Sequence, residues 1–378
     1  MLRFIVLVLA GLTLWGGACL GAGPKAVAVA DRSLWPRSMQ SADDFDQASR
    51  AEILVFAKVF AEVEAAGEDW KSLTGVKAPH PDSIQRWLKQ TKDVLLLNWA
   101  AAQSHCQPSA LACNLGKPDV SGLGSRAMGF AHGLAPEYRA WLEMSEKFYH
   151  QYLLEQLRLA ALFPTPTSEI LMLSQREITG VDWPDRTFLL TFDDGPTPLN
   201  GTTDRLMPLL KQYKLNGIFF VLGDAFKARL EQTSAASIQE LYKEQCVGSH
   251  GREHTSHQTL KTWKESLDFT QELVKATIKE NAPRLYFRPP YAQRTAALTQ
   301  YVQASGSTIM LWNLDSQDWS SKITASQVTD RMVTLMLLWR RGILLFHDVH
   351  NKVHTAVPAL AQFAQATGLT WQHCRALN

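Results

Sequence analysis

Two acidic residues precede a Gly-Pro turn, Asp193-Asp194-Gly195-Pro196, at the end of the apolar run 187–192. Taken alone, the pair reads equally well as a solvated acidic turn. The run His250-Gly251-Arg252-Glu253-His254 shifts that balance, because it sets two imidazoles four residues apart. On a helical turn this spacing puts both rings on one face, able to chelate one metal ion. A carboxylate joined to two imidazoles makes a facial set with coordination positions left open for water and substrate. Zinc in such a site polarises a carbonyl and lowers the pKa of bound water. Histidine pairs of this spacing also decorate surfaces, so the two clusters gain meaning only together.

Such clusters need elements to hold them. Residues 187–192 and 218–222 read as buried strands, followed by helices at 203–213 and 234–244. Further strands are expected at 285–287, 308–312 and 343–346, with helical segments between. This alternation predicts a parallel α/β fold, open or closed into a barrel. Parallel barrels carry their chemistry at the C-terminal strand ends, where Asp193 and Asp194 stand. The first half has a different period. Phe45, Ala48, Ile53, Phe56, Ala57, Phe60 and Val63 recur at helical spacing over 43–66, with Gly67 as a stop. A second helix starts near Pro81 and a third at Pro136, the latter running to about Leu162. The Gly/Ser/Pro-rich stretch 107–133 is expected to be a long loop braced by cysteines. Asp43-Asp44-x-Asp46 reads as an acidic first turn complementing the helix dipole. The expected organisation is a signal peptide at 1–22, a helical domain of unassigned role at 31–165, a linker at 166–185 and an α/β domain at 186–375.

Five runs occur in order in the second half. They are Thr191-Phe192-Asp193-Asp194-Gly195-Pro196, Ser249-His250-Gly251-x-x-His254, Phe287-Arg288-Pro289-Pro290-Tyr291, Asp315-Ser316-Gln317-Asp318-Trp319 and Leu345-Phe346-His347-Asp348. Together they resemble the five motifs of the polysaccharide deacetylases, the NodB-homology family of metal-dependent carbohydrate esterases (carbohydrate esterase family 4). The resemblance covers about 186–373 and implies a distorted, incomplete (β/α) barrel. It implies that Asp194, His250 and His254 hold Zn²⁺, with Co²⁺ or another divalent ion as a substitute. Asp193 would be the general base, oriented by Arg288, and His347 the general acid, tuned by Asp315. The backbone N–H of Tyr291 would hold the oxyanion, while Trp319 and Leu345 would line the acetyl and sugar pocket. The implied reaction removes N-acetyl groups from an N-acetylglucosamine-containing glycan such as peptidoglycan, chitin-type oligomers or poly-N-acetylglucosamine. Alternatives are an O-acetyl polysaccharide esterase and an inactive glycan-binding envelope protein, although no acid, base or ligand position is missing. Two positions depart from the pattern: Gly251 stands where Ser or Thr is usual, and Ala292 where Gly often follows Tyr291. His257 forms a competing pair with His254, while His350 and His354 read as loop residues.

Composition fits these expectations. The 378 residues carry 38 Lys+Arg against 36 Asp+Glu, a net charge of +2 that disfavours a dedicated nucleic-acid binder. An uncharged sugar polymer is a better match. Arg3 followed by an apolar run and then by small residues has the shape of a secretory signal, cut after Ala22 or alternatively after Ala30. Periplasmic or secreted localisation is therefore expected, with no stable membrane insertion after cleavage. Lipid anchoring through Cys19 and an uncleaved N-terminal anchor are the alternatives. Of the remaining cysteines, Cys106 and Cys113 suit a local disulfide, leaving Cys246 and Cys374 to pair or stay free.

Overall fold

The computed structural model describes residues 24–377 apart from 25, 68, 105, 108, 109, 114–119 and 281–283. The expected signal peptide, with Cys19, lies outside the described residues. The helical half comprises α1 (Ala42–Ala65), α2 (Trp70–Thr74), α3 (Pro81–Gln103), α4 (Val120–Gly133) and α5 (Arg139–Leu162). The second half begins β1 (Thr187–Asp193), α6 (Thr202–Gln212), β2 (Gly217–Val221), α7 (Gly223–Gln232), α8 (Ala235–Leu241) and β3 (Cys246–Ser249). It continues with α9 (Trp263–Thr277), β4 (Tyr286–Phe287), α10 (Ala296–Ala304), β5 (Thr308–Ile309) and β6 (Leu314–Asp315). It ends with α11 (Ala325–Trp339), β7 (Gly342–His347), α12 (Val353–Thr367) and β8 (Thr370–Trp371).

All strand pairings are parallel, in the order β5-β4-β3-β2-β1-β7-β6, with β8 added at the start of β1. Every residue of β1 is buried, as expected of a strand covered on both faces. Chain connectivity then forces the sheet to curl. Strands β5 and β6 lie at opposite edges, about 29 Å apart if seven strands lay flat at the usual spacing. Only Met310-Leu311-Trp312-Asn313 connects them, and five Cα steps reach about 18 Å at most. The edges must therefore approach each other, giving an incomplete parallel barrel. Ile178 fills part of the seam: its N–H donates to the Ile309 carbonyl and its carbonyl accepts from the Leu311 N–H. Ile178, within the stretch 166–185 expected as a linker, thus pairs with the edge of the sheet. Glu177 within that stretch forms a fully buried ion pair with Arg294 at 2.6 Å.

Helix α1 starts where Ser41 accepts from the Asp44 N–H, and α3 carries Pro81 in its first turn. The expected loop over 107–133 is corrected: its second part forms α4. Gly and Ser are poor helix formers, but the small residues let α4 lie close against α1. A Cβ on Gly124 would sit 3.2 Å from the Ala61 Cβ, and Leu123 and Ala127 are buried one turn apart. Disulfides join Cys106 to Cys113 and Cys246, at the start of β3, to Cys374. Among the described residues no helix is long and apolar enough to cross a membrane.

The two halves share one apolar core, in which α1 meets α11 and α12. Ser49 of α1 donates to the Leu337 carbonyl at 2.6 Å, and Asn98 of α3 to the Leu338 carbonyl at 3.2 Å. Arg340, fully buried, pairs with Asp46 of α1 at 2.8 Å and with Asp185 at 2.7 Å. Removing one partner of such a buried set leaves uncompensated charge. Arg340→Ala is therefore expected to lower the unfolding free energy by about 3–5 kcal/mol, measured by chemical denaturation.

Candidate active site

Four strand ends at the barrel mouth contribute polar side chains. Asp193 ends β1 in register with His347 at the end of β7. Asp194 follows β1, His250 follows β3 and Arg288 follows β4. Asp194 adopts a left-handed backbone, φ 80°, an uncommon conformation for a non-glycine residue and one that concentrates at functional sites. Its turn is held from below by Asp348, whose Oδ2 accepts from the Thr203 hydroxyl at 2.6 Å. Gly195 is required there, since a Cβ would fall 2.1 Å from Asp348 Oδ2.

Asp194, His250 and His254 each offer a ligand atom, all within 4.8 Å of one another. Asp194 Oδ1 lies 3.5 Å from His250 Nε2 and 3.6 Å from His254 Nε2. The His250 Nδ1–H donates to the Arg288 carbonyl at 2.7 Å, which leaves Nε2 as the lone-pair nitrogen facing Asp194. Burial holds His250 well below the ordinary imidazole value, and burial also lowers His254, against the pull of Asp194. Both shifts favour the neutral ring, the form that ligation requires. Asp194 Oδ1 is buried without a hydrogen-bond partner among the described residues. A divalent cation fits this donor set.

His257 is not brought into the set. Its Nδ1 faces the Thr255 carbonyl at 3.0 Å and its Nε2 the Ser266 hydroxyl at 3.1 Å, and burial drives it down to about 4. It also accounts for Gly251, whose φ is +83° and whose Cβ would meet His257 Cε1 at 2.4 Å. His354 faces the Thr202 carbonyl at 3.0 Å, outside the set, while the His350 ring lies 5.8 Å from that of His347.

Asp193 is buried beside these ligands. Its Oδ1 accepts from Arg288 Nη1 at 2.8 Å, as expected. Burial pushes its carboxyl up to about 6, with the Arg288 charge pulling the other way. Arg288 is itself fully buried, donating also to Thr191 Oγ1 and to the carbonyls of Met310 and Leu311. Tyr291 has a left-handed backbone, φ 57°, and stands half exposed with its ring 4.4 Å from that of His254. Trp319 is 44% exposed at the mouth, whereas Leu345 is buried in the barrel interior.

The partner expected for His347 needs correction. Asp318, not Asp315, meets it: Asp318 Oδ1 faces His347 Nδ1 at 2.7 Å, and Oδ2 accepts the His347 backbone N–H at 2.9 Å. Asp315 belongs to β6 and is turned to its own loop, accepting from the Gln317 N–H and side-chain amide, each at 2.8 Å. The signal that distinguishes them is position. Asp318 lies three residues beyond the strand, in the loop at the barrel mouth, whereas Asp315 is still within the sheet.

Parts of the chain are similar to known proteins. Residues 180–310 match the family model "Polysaccharide deacetylase". A peptidoglycan-N-acetylmuramic acid deacetylase of Bacillus subtilis is 29% identical over 188 residues, 49% of this chain and 37% of that protein. A bifunctional xylanase/xylan deacetylase of Cellvibrio japonicus is 29% identical over 185 residues, 48% of this chain and 26% of that protein. A chitin deacetylase of Pestalotiopsis is 29% identical over 186 residues, 49% of this chain and 61% of that protein. The match therefore spans less than two thirds of each of these relatives. Among solved structures, a family 4 carbohydrate esterase from Streptomyces lividans in complex with acetate is 25% identical, with a TM-score of 0.41. It covers 49% of this chain and 91% of that one.

Burial disfavours charge on His347, but Asp318 outweighs it and holds the imidazole up at about 10, against an ordinary 6.5. The pair's stabilisation is fully present below pH 6.5 and is lost as pH rises through about 10. Asp318→Asn removes the raising charge, so His347 should titrate at lower pH when followed by NMR of its ring nitrogens. An unmoved titration would show that Asp318 is not the cause.

Proposed function

We propose that this chain is an exported, metal-dependent hydrolase that removes N-acetyl groups from an N-acetylglucosamine-containing polysaccharide or oligosaccharide. The observation that carries the reading is the meeting, at one barrel mouth, of a candidate ligand triad, an Arg-paired carboxylate and an Asp-paired imidazole. Peptidoglycan, chitin-type oligomers and poly-N-acetylglucosamine form the substrate class, in keeping with the names of the relatives above. Asp194, His250 and His254 would hold the ion, with zinc as our assignment. When bound, it supplies Lewis-acid polarisation of the acetyl carbonyl and acidifies water.

The residues of the chain divide the remaining work. Asp193 accepts the proton of the attacking water, its carboxylate aimed by Arg288. The Tyr291 backbone N–H serves the oxyanion that develops on the acetyl group. Trp319 and Leu345 flank the acetyl methyl and the sugar face. His347 then delivers its proton to the departing nitrogen, which cannot leave as an amide anion. That need separates the two enzyme readings. The Cellvibrio relative is named a xylan deacetylase, which favours O-acetyl ester cleavage as the second reading. An imidazole held charged up to about pH 10 is matched to the poorer leaving group, the amine. Export is supported by the signal-like first 22 residues and by two disulfides, which persist in oxidising compartments.

Acetate release from N-acetylated chitooligomers or muropeptides should exceed release from acetylated xylan. It should disappear with chelator and return with Zn²⁺ or Co²⁺. Asp193→Asn should lower turnover by about 10²–10⁴-fold with metal content unchanged. Substantial activity in that variant would sink the base assignment. His250→Ala should lose the metal by elemental analysis, and retention would overturn the ligand assignment.

A further inference from the structure

We infer that a second cavity, between the helical half and the barrel seam, binds a protonated amino sugar, the kind of unit that N-deacetylation creates. This assignment of ligand rests on the deacetylase reading above. The cavity holds about 300 Å³, the lower end of the range for small-ligand pockets. None of the metal-ligand, base, acid, Tyr291 or Trp319 side chains lines it.

Its walls have a distinct chemistry. Trp87 of α3, Tyr152 of α5, Trp312 of the seam and Trp339 of α11 supply four aromatic rings. Glu169 and Asp315 are half-buried carboxylates within it, and Asp93 and Asp182 stand exposed at its rim. No Lys, Arg or His lines it among the described residues. Arg331 lies behind the lining, 5.7 Å from the Tyr152 ring, but with no cation in the lining itself the rings and carboxylates favour an organic cation through cation–π and charge-assisted contacts. Trp312 is only 7% exposed, and its indole N–H has no acceptor among the described residues. The Tyr152 hydroxyl accepts from Trp339 Nε1 at 3.0 Å, which leaves its own hydrogen to donate. These two donors suit sugar hydroxyls, and the rings suit the apolar face of a pyranose. Burial, with Asp315 adding to it, pushes the Glu169 carboxyl up to about 7, as for a carboxylate short of positive partners. An N-acetylated sugar brings no charge and would leave that carboxylate desolvated and unpaired.

The test uses the full chain after metal chelation, with the β-1,4-linked glucosamine disaccharide and its di-N-acetylated form as probes at pH 7.5, where a carboxyl at about 7 is mostly ionised. Binding is followed by tryptophan fluorescence and calorimetry. The free amine should bind, and the acetylated form should bind at least roughly tenfold more weakly, the value of one charge-assisted contact. Glu169→Gln should weaken amine binding by about tenfold while acetate release from a short substrate, measured separately on the metal-loaded protein, stays unchanged. Asp93→Asn, at the exposed rim, should weaken it measurably without risk to the core. Trp319→Ala, in the catalytic groove, should leave it unaltered. Absence of amine binding, equal binding of the two sugars, or sensitivity to Trp319→Ala without sensitivity to Glu169→Gln would each overturn the proposal. Amine binding with this pattern in a protein that releases no acetate would remove the catalytic reading and leave the site standing.

Discussion

The guanidinium of Arg288 is buried to 0% exposure inside the barrel, and much of the molecule is arranged around that fact. A charge so placed must be neutralised and its N–H groups must find acceptors. Asp193 supplies the counter-charge, and Thr191, Met310 and Leu311 supply acceptors. Those partners lie on β1 and on the segment just beyond β5, so one side chain spans the barrel from β4 to both. Phe220 and Trp312 sandwich its plane, with ring centroids 4.2 and 5.3 Å from Cζ. A lysine ammonium lacks the planar fork needed to satisfy these partners together. The fold and the aim of the carboxylate thus depend on the same contact.

The parts of this architecture that could be read from sequence are those with a strong period. Strands β1, β2 and β7 are continuous apolar runs because they are covered on both faces. Strands β4 and β5 are two residues long but stand in the apolar runs 285–287 and 308–312, whereas β6, equally short, pairs one Leu with an Asp and has no apolar run of its own. Strand β3 carries Cys246, Gly248 and Ser249 and has no apolar run to announce it. The candidate ligand residues are visible because their spacing suits a metal geometry. The partner of His347 is not, because Asp315 and Asp318 occur in one short run and differ only in which lies beyond the strand. The seam segment at Ile178 had no signal of its own, since its pairing is set by the curl of the sheet.

Helix α11 explains why the helical half could not be assigned a task from its pattern. Its residues Met332, Val333, Leu335, Met336, Leu337 and Leu338 are all buried. A helix apolar around so much of its circumference needs covering on more than one side. The barrel covers one side, and α1 and α3 cover another. Glu52 of α1 is likewise fully buried, accepting from Trp141 and Tyr149 of α5 as well as from Arg32. The aromatic supply of this half is spent mainly on that packing.

The shared core makes the chemistry and the stability of this chain differ in extent. In sequence, the deacetylase match begins at residue 180. In space, that boundary cuts through continuous packing, with Arg340 and Arg331 bonded across it to Asp46 and Glu155. Catalytic modules that stand free can be shuffled among chains by recombination. Here, transplanting the barrel alone would carry the apolar flank of α11 into water and leave two buried arginines without their carboxylates. The stability of the barrel is therefore tied to the helical half that covers it.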